Sequence, residues 1–442
     1  PGNLNGQITA AGRWPQSGPE AELQRLDVSG QLRGREVGLS GSGSYRPGSL
    51  EVAELQLAAE GTTAALEGRI GENLALDWRL DSPDLGVLYP EAGGRLRGSG
   101  RVTGTRRKPA IHTEISGSDL AFAEHQVDKL ALAGRLDLGG TEPSDMRLAI
   151  DDAVLADRPL ERLRLELGGR PLDHTLDLAA ATETATVEAG VRGRWQRAEN
   201  RWDFTLSRAQ IGSLHLPQDW HLEAPASGSV DPARASLEEA CFTAGNPRLC
   251  LGGEKSGERV TGRYRAEALP LGYLLPLLPA GTAIKGQVDG SGELSWNNGT
   301  LTGEARLSTG SGRLLLTEQE EEPQPVVAFR PSRIRFTATP RSLRARADLN
   351  LGAADHIQAN LQVPQDRGPL TEAPATGRLQ GQITDLGVIS LMVPEITELK
   401  GRAEADLRLQ GSLGRPGWAG RIGVSAERLG LADGLEPGLD GV

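Results

Sequence analysis

The chain has 442 residues, of which 58 are glycine and only 7 Trp, 4 Tyr and 5 Phe, and it carries a net charge of −11. Its 48 basic and 59 acidic residues are interspersed, which excludes the basic stripe that nucleic acid phosphates require. Glycine at about 13 %, nearly twice its usual share, with so few rings, excludes an ordinary ring-filled core and points to thin, repetitive aliphatic packing. The apolar content is too regularly spaced for a disordered chain. No stretch reaches the roughly 18 apolar residues of a membrane span. The chain starts at Pro1 and ends at Val442 in mid-pattern, without initiator Met or signal peptide, and reads as an internal piece of a longer protein.

In chain order, turn signals recur about every ten residues: Pro47-Gly48, Gly139-Gly140, Gly168-Gly169, Asn297-Asn298-Gly299. Between them apolar and polar residues alternate. Leu74, Leu76, Trp78 and Leu80 form the first clear series, and Arg106, Arg107, Lys108 and Pro109 make a solvated turn after it. Leu163, Leu165 and Leu167 follow, then Leu176 and Leu178, then Trp202, Phe204 and Leu206. Cys241 and Cys250 flank the turn Gly245-Asn246-Pro247, so a hairpin brings them opposite each other. That placement points to a disulfide rather than two free thiols, and to an oxidising compartment. An acidic run from Glu318 to Glu322, ended by Pro323 and Pro325, reads as an exposed loop. Leu349, Leu351, Ile357, Leu361 and Val363 close the series.

A period of two puts these aliphatic groups on one strand face and the charged groups on the other. Strand follows strand with few helices to cross over, so the fold is all-β and the sheet antiparallel. A sandwich would fill the gap between its sheets with large residues, and thirty-odd strands are too many for one barrel. What remains is one elongated repetitive sheet over 1–442, curled on itself around an apolar interior with a few short helical segments. A continuous apolar surface of that size is usually functional.

An apolar segment with Leu-Gly, then Pro, then a Gly-rich strand pair occurs three times: from Asp84-Leu85-Gly86 to Pro90, from Pro270-Leu271-Gly272 to Pro276, and from Asp385-Leu386-Gly387 to Pro394. Gly94 to Gly100, Gly286 to Gly292 and Gly401 to Leu407 follow the three copies. Their unequal spacing describes modules of variable strand number, roughly 1–80, 81–268, 269–384 and 385–442. The Leu-Gly segments resemble one or two helical turns that line, plug or cap the groove.

This ordered module, with the hairpin ending Leu249-Cys250-Leu251-Gly252-Gly253, resembles the TamB family of AsmA-like proteins over nearly the whole chain. The resemblance implies a β-taco, a sheet bent into a U with an apolar interior, in the periplasm between inner and outer membranes. It also implies an inner-membrane anchor N-terminal to this piece, an outer-membrane TamA-type partner met beyond its C-terminus, and phospholipid as cargo. The aliphatic and aromatic residues of the alternating series are then the groove lining.

No chemistry of catalysis accompanies this pattern. His112, His125, His174, His215, His221 and His356 show no metal spacing, and Asp151-Asp152 reads as a polar turn. No serine has Gly at both −2 and +2, and Gly41-Ser42-Gly43 opens no dinucleotide motif. Asn298-Gly299-Thr300 is a sequon placed in a turn. The expectation is a lipid conduit that is not an enzyme and needs no cofactor or metal. The alternative is a scaffold for outer-membrane β-barrel assembly, in which exposed sheet edges accept client strands. A β-solenoid adhesin would need near-identical short repeats, which are missing.

Overall fold

A computed structural model describes residues 2–214, 216–273, 282–316, 324–351, 355–365, 371–384, 386 and 396–431. The chain divides into two compact units, 1–219 and 220–442. The calls made on His215, the acidic run, Leu274 to Pro276, and Asp385 with residues 387–394 lie outside the described residues.

Unit 1 is built from β1 (Gly2–Arg13), β2 (Glu20–Leu32), β3 (Arg35–Arg46), β4 (Ser49–Ala59), β5 (Thr62–Ile70) and β6 (Asn73–Ser82). After a 3-10 turn at Leu85–Val87 come β7 (Ala92–Thr105), β8 (Lys108–Phe122), β9 (His125–Asp137) and β10 (Ser144–Leu155). β11 (Arg158–Arg170), β12 (Asp173–Ala181), β13 (Ala185–Gln196) and β14 (Arg201–Ser213) complete it. Every strand pairs antiparallel with the next in sequence, so the sheet is an up-and-down meander. The turn residues follow from backbone geometry. In the turn from β2 to β3, Arg33 and Gly34 both take positive φ (55° and 80°), the pairing that lets a two-residue hairpin match strand twist.

Unit 2 begins with the short strands β15 (Trp220–Leu222) and β16 (Ala226–Val230), both paired with β17 (Arg234–Thr243). β18 (Arg248–Ser256) and β19 (Arg259–Pro270) extend the meander. Past Gly286, whose φ of +148° bends the chain, β20 (Thr282–Lys285) gives way to β21 (Gln287–Asn297). β22 (Thr300–Thr309) and β23 (Gly312–Leu316) share the long β24 (Gln324–Thr339) as partner. β25 (Ser342–Leu351), β26 (Asp355–Pro364), β27 (Thr376–Ile383), β28 (Ile396–Ser412) and β29 (Arg415–Leu431) end it.

Both units are all-β and antiparallel, as the alternation predicts. Along many strands half-buried residues alternate with exposed polar ones, as in the pattern iiieieieieieei of β7, whereas the edge strand β1 is exposed throughout. The polar face is tied by cross-strand pairs, among them Arg101–Asp77 (2.6 Å), Arg97–Asp81 (3.0 Å) and Arg378–Asp406 (2.5 Å). Exposed pairs of this kind contribute at most about 1 kcal/mol each, so they fix register more than they stabilise.

Candidate apolar groove

One lane of directly opposed residues crosses all fourteen strands of unit 1. It runs Ile8, Leu26, Gly41, Leu55, Leu66, Trp78, Gly100 and Thr113, one residue per strand. It continues through Gly134, Met146, Leu167, Leu176, Val191 and Leu206. No charged residue interrupts it. Thr113 supplies its one hydroxyl, and that Oγ1 donates to the Ser99 carbonyl 3.2 Å away. At the 4.7–4.9 Å spacing of paired strands the lane is about 60 Å long.

Burial along this face is unusual. Among the described residues of unit 1, the only apolar side chains that are fully buried are the methyls of Ala59 and Ala153. No Leu, Ile, Val, Phe or Met of unit 1 is in that class, although every strand presents such residues to the same face. An ordinary domain of this length buries many of them. Within unit 1 the face is therefore continuous and apolar, and the described residues of the unit leave it at most half shielded.

Leu74, Leu76, Trp78, Leu80, Leu163, Leu165, Leu167, Leu176, Leu178, Trp202, Phe204 and Leu206 all lie on this face and are half-buried. Leu165 stands between Leu148 and Leu178. Two aromatic groups lie flat on the lining, each over glycine. A Cβ on Gly100 would fall 2.5 Å from Trp78 Nε1, and one on Gly98 would fall 3.1 Å from the same ring. Trp202 stacks on Phe204 at 4.8 Å and donates from Nε1 to His174 Nε2 at 2.9 Å, over Gly193. His174 Nδ1 lies 3.1 Å from the Pro171 carbonyl, so both ring nitrogens have partners.

In unit 2, Leu349 opposes Ile357 and Leu361 opposes Ala345 on the corresponding face, which also carries Leu351. A recess of about 340 Å³ opens there, lined mainly by Ile334, Ala345, Ala359, Leu361, Leu379 and Trp418. One end of this face is closed. Ala338, Leu343, Val363, Ala373, Ala375 and Leu409 form a buried cluster, so Val363 packs in a core while Leu361 stays half-buried beside it. The Gln365 amide holds the closed end: it accepts from Leu301 N–H (2.9 Å) and donates to the carbonyls of Leu301 (2.7 Å) and Thr339 (2.6 Å).

A larger recess of unit 1, about 930 Å³, is lined by charged residues such as Glu67, Asp77, Arg79, Arg101 and Arg135 and also by Leu55, Leu66, Trp78, Gly100 and Gly134 of the lane. A twisted sheet is saddle-shaped, so each face is concave along one diagonal. Polar and apolar groups both contribute to its wall.

Elsewhere the polar groups are structural. Asp151 bonds Arg164 at 2.5 Å, and His125 Nδ1 accepts from the Ala156 N–H at 3.1 Å. Asp137 accepts from the N–H groups of Glu142 (2.7 Å), Gly139 (2.7 Å) and Gly140 (3.2 Å), which hold its carboxyl below the usual range. Cys241 and Cys250 stand in register on β17 and β18 and are joined by a disulfide. With Glu239 they are the one group among the described residues with metal-ligand proximity, and the bonded sulfurs are not available to a metal. Among the described residues no helix is long and apolar enough to cross a membrane.

The family described as TamB, N-terminal domain, matches residues 1–424. The translocation and assembly module subunit TamB of Haemophilus influenzae is 20 % identical over 303 residues, 67 % of this chain and 23 % of that relative. The chain thus spans about a quarter of the length of this curated relative.

Proposed function

The chain belongs to the TamB family, and from that premise we propose that it is a segment of a periplasmic conduit that carries phospholipid acyl chains between the inner and outer membranes. The observation that supports this reading is the lane from Ile8 to Leu206, fourteen strands of aliphatic lining with no large aliphatic side chain fully buried. Each methylene removed from water gains about 0.8 kcal/mol, so a two-chain lipid in water costs tens of kcal/mol. A half-shielded apolar face lowers that cost while leaving the headgroup in solvent. Because successive strands present similar walls, a chain can shift along the lane between sites of nearly equal depth. Leu165, Leu178, Leu349 and Leu361 act in this reading as lining, none of them dominant. In the whole protein, an N-terminal inner-membrane anchor and a TamA-type outer-membrane partner would complete the path.

The printed name of the relative, a translocation and assembly module subunit, supports a second reading, a scaffold for outer-membrane β-barrel assembly. Native mass spectrometry on the chain purified from a periplasm separates the two. The conduit reading expects co-purified phospholipid that is lost in a folded Leu165→Asp, Leu349→Asp double variant. A folded wild-type chain that carries no lipid and takes up none from added vesicles would sink it and favour the scaffold.

A further inference from the structure

Register sorts the charges of unit 2 in a way that chain order hides. Arg306 on β22, Arg335 on β24, Arg346 on β25, Asn360 on β26, Arg378 on β27 and Arg408 on β28 stand directly opposed, each to the next. One lane across six neighbouring strands therefore carries five arginines and one amide. At about 4.8 Å per strand it is roughly 24 Å long. The alternation of β25 and β26 puts it on the exposed side, opposite Leu349, Ile357 and Leu361. Like charges set directly opposite one another destabilise a sheet, so the lane is a cost to the isolated chain.

The flanking lanes on the same face do not cancel it. One consists of Ser308, Arg333, Asp348, Gln358, Gln380 and Asp406. The other consists of Glu304, Thr337, Arg344, Gln362 and Thr376. The three lanes together hold seven arginines and three carboxylates, and seven minus three leaves +4 in a chain of net charge −11. Two of the carboxylates are committed, Glu304 to Arg306 at 2.9 Å and Asp406 to Arg378 at 2.5 Å. The third, Asp348, stands opposite Arg333. Among the described residues Arg335, Arg346 and Arg408 are exposed and form no ion pair. No position of the three lanes is aromatic or aliphatic, so a nucleic acid base finds nothing to stack on and a bilayer nothing to take up.

The spacing selects among polyanions. Arg333 and Arg335 are two positions apart on β24, as are Arg344 and Arg346 on β25, which is about 6.8 Å at the rise of a strand. An extended peptide repeats its side chains on one face with the same step. Every cation of the field is Arg, whose planar fork pairs carboxylates in bidentate fashion. Beside them the amides of Gln358, Asn360, Gln362 and Gln380 offer donors and acceptors to peptide groups. We propose that this arginine field is a docking surface for an extended acidic segment of a partner protein, with Asp or Glu at alternate positions. It uses the face opposite the apolar lining and does not depend on the conduit reading.

The test measures fluorescence anisotropy of labelled peptides against the whole chain. A peptide of Glu-Thr repeats should bind, with an affinity that falls as salt rises, and one of Lys-Thr repeats should not. A peptide of the same composition with its glutamates in one block should bind more weakly than the alternating one. The Arg335→Gln, Arg346→Gln double variant should bind the alternating peptide about tenfold more weakly, the loss of two exposed charge pairs. Its urea midpoint should equal or exceed that of the wild type, because the change removes repulsion. Arg106→Gln with Arg107→Gln, in the β7–β8 turn, should leave binding unchanged. Failure of the alternating peptide to bind, equal binding of the block peptide, or binding indifferent to the double variant overturns the proposal. Polygalacturonate bound more tightly than the peptide, and lost in the same double variant, overturns it too by assigning the field to an anionic glycan.

Discussion

The indole of Trp78 lies across Gly100 of the neighbouring strand, so close that a methyl at Gly100 would stand 2.5 Å from the ring nitrogen. The two residues are direct cross-strand partners on the apolar face. The largest ring of the lane is therefore folded down onto a residue without a side chain.

Gly100→Ala should lift that ring. The added methyl also meets the His112 carbonyl at 2.7 Å, so the strand cannot simply slide. We expect a loss of about 1–3 kcal/mol, as for other overpacked sites, together with a shifted Trp fluorescence maximum. Urea denaturation followed by Trp emission reads both.

Truncation should cost differently in the two units. Leu165 lies on an open face, whereas Leu343 is buried in the closed end of unit 2. Leu343→Ala should lose about 2–5 kcal/mol, and Leu165→Ala roughly 1 kcal/mol or less, because solvent already reaches its site. Amide hydrogen exchange on each unit distinguishes the two costs.

Acid should loosen the β9–β10 connection. Backbone N–H donors, led by that of Glu142, stabilise the charged form of Asp137 and lower its pKa in the folded chain. A carboxylate depressed in this way adds stability that is present above its unfolded value, near 3.9, and lost as pH falls through its lower folded value. Exchange of the Gly139 and Glu142 amides should therefore rise only in strong acid, and Asp137→Asn should abolish that pH dependence.

Reduction should weaken the β17–β18 hairpin without dissolving unit 2. Cys241 and Cys250 close a short loop, for which the chain-entropy estimate is about 2–3 kcal/mol. Part of that is already provided by the turn, where Gly245 takes a φ of 75° and Ala244 N–H bonds the Pro247 carbonyl at 3.1 Å. Denaturation with and without reductant should differ by about 2 kcal/mol or less, and Cys241→Ser with Cys250→Ser should match the reduced wild type.

The sheet was legible because its signal is local. Leu163, Leu165 and Leu167 announce one strand face within five residues, and Gly168-Gly169 announces its end. The cysteine pair was legible for the same reason. What the sequence hides depends on register between strands: that Trp78 falls on Gly100, twenty-two positions away, follows from pairings set by each turn between them. Gln365 was missed because its partners Leu301 and Thr339 are backbone groups of distant turns, and backbone hydrogen bonds leave no trace in residue type. Ala373 and Ala375 are among the most buried residues described in unit 2, and nothing in their residue type marks them for it. The Leu-Gly segments were visible as breaks in alternation.

Because each of the strands β1 to β13 bonds only to its sequence neighbours, this part of the sheet behaves as a one-dimensional lattice. Removing one hairpin deletes two rungs and duplicating one adds two, and no pairing between more distant strands of β1 to β13 is broken. The apolar lane would then change length in increments of about 10 Å, two strand spacings, with its face unbroken. A protein of this design can be matched to the width of a gap by gene-level counting of hairpins, much as a ladder is fitted to a wall by adding rungs.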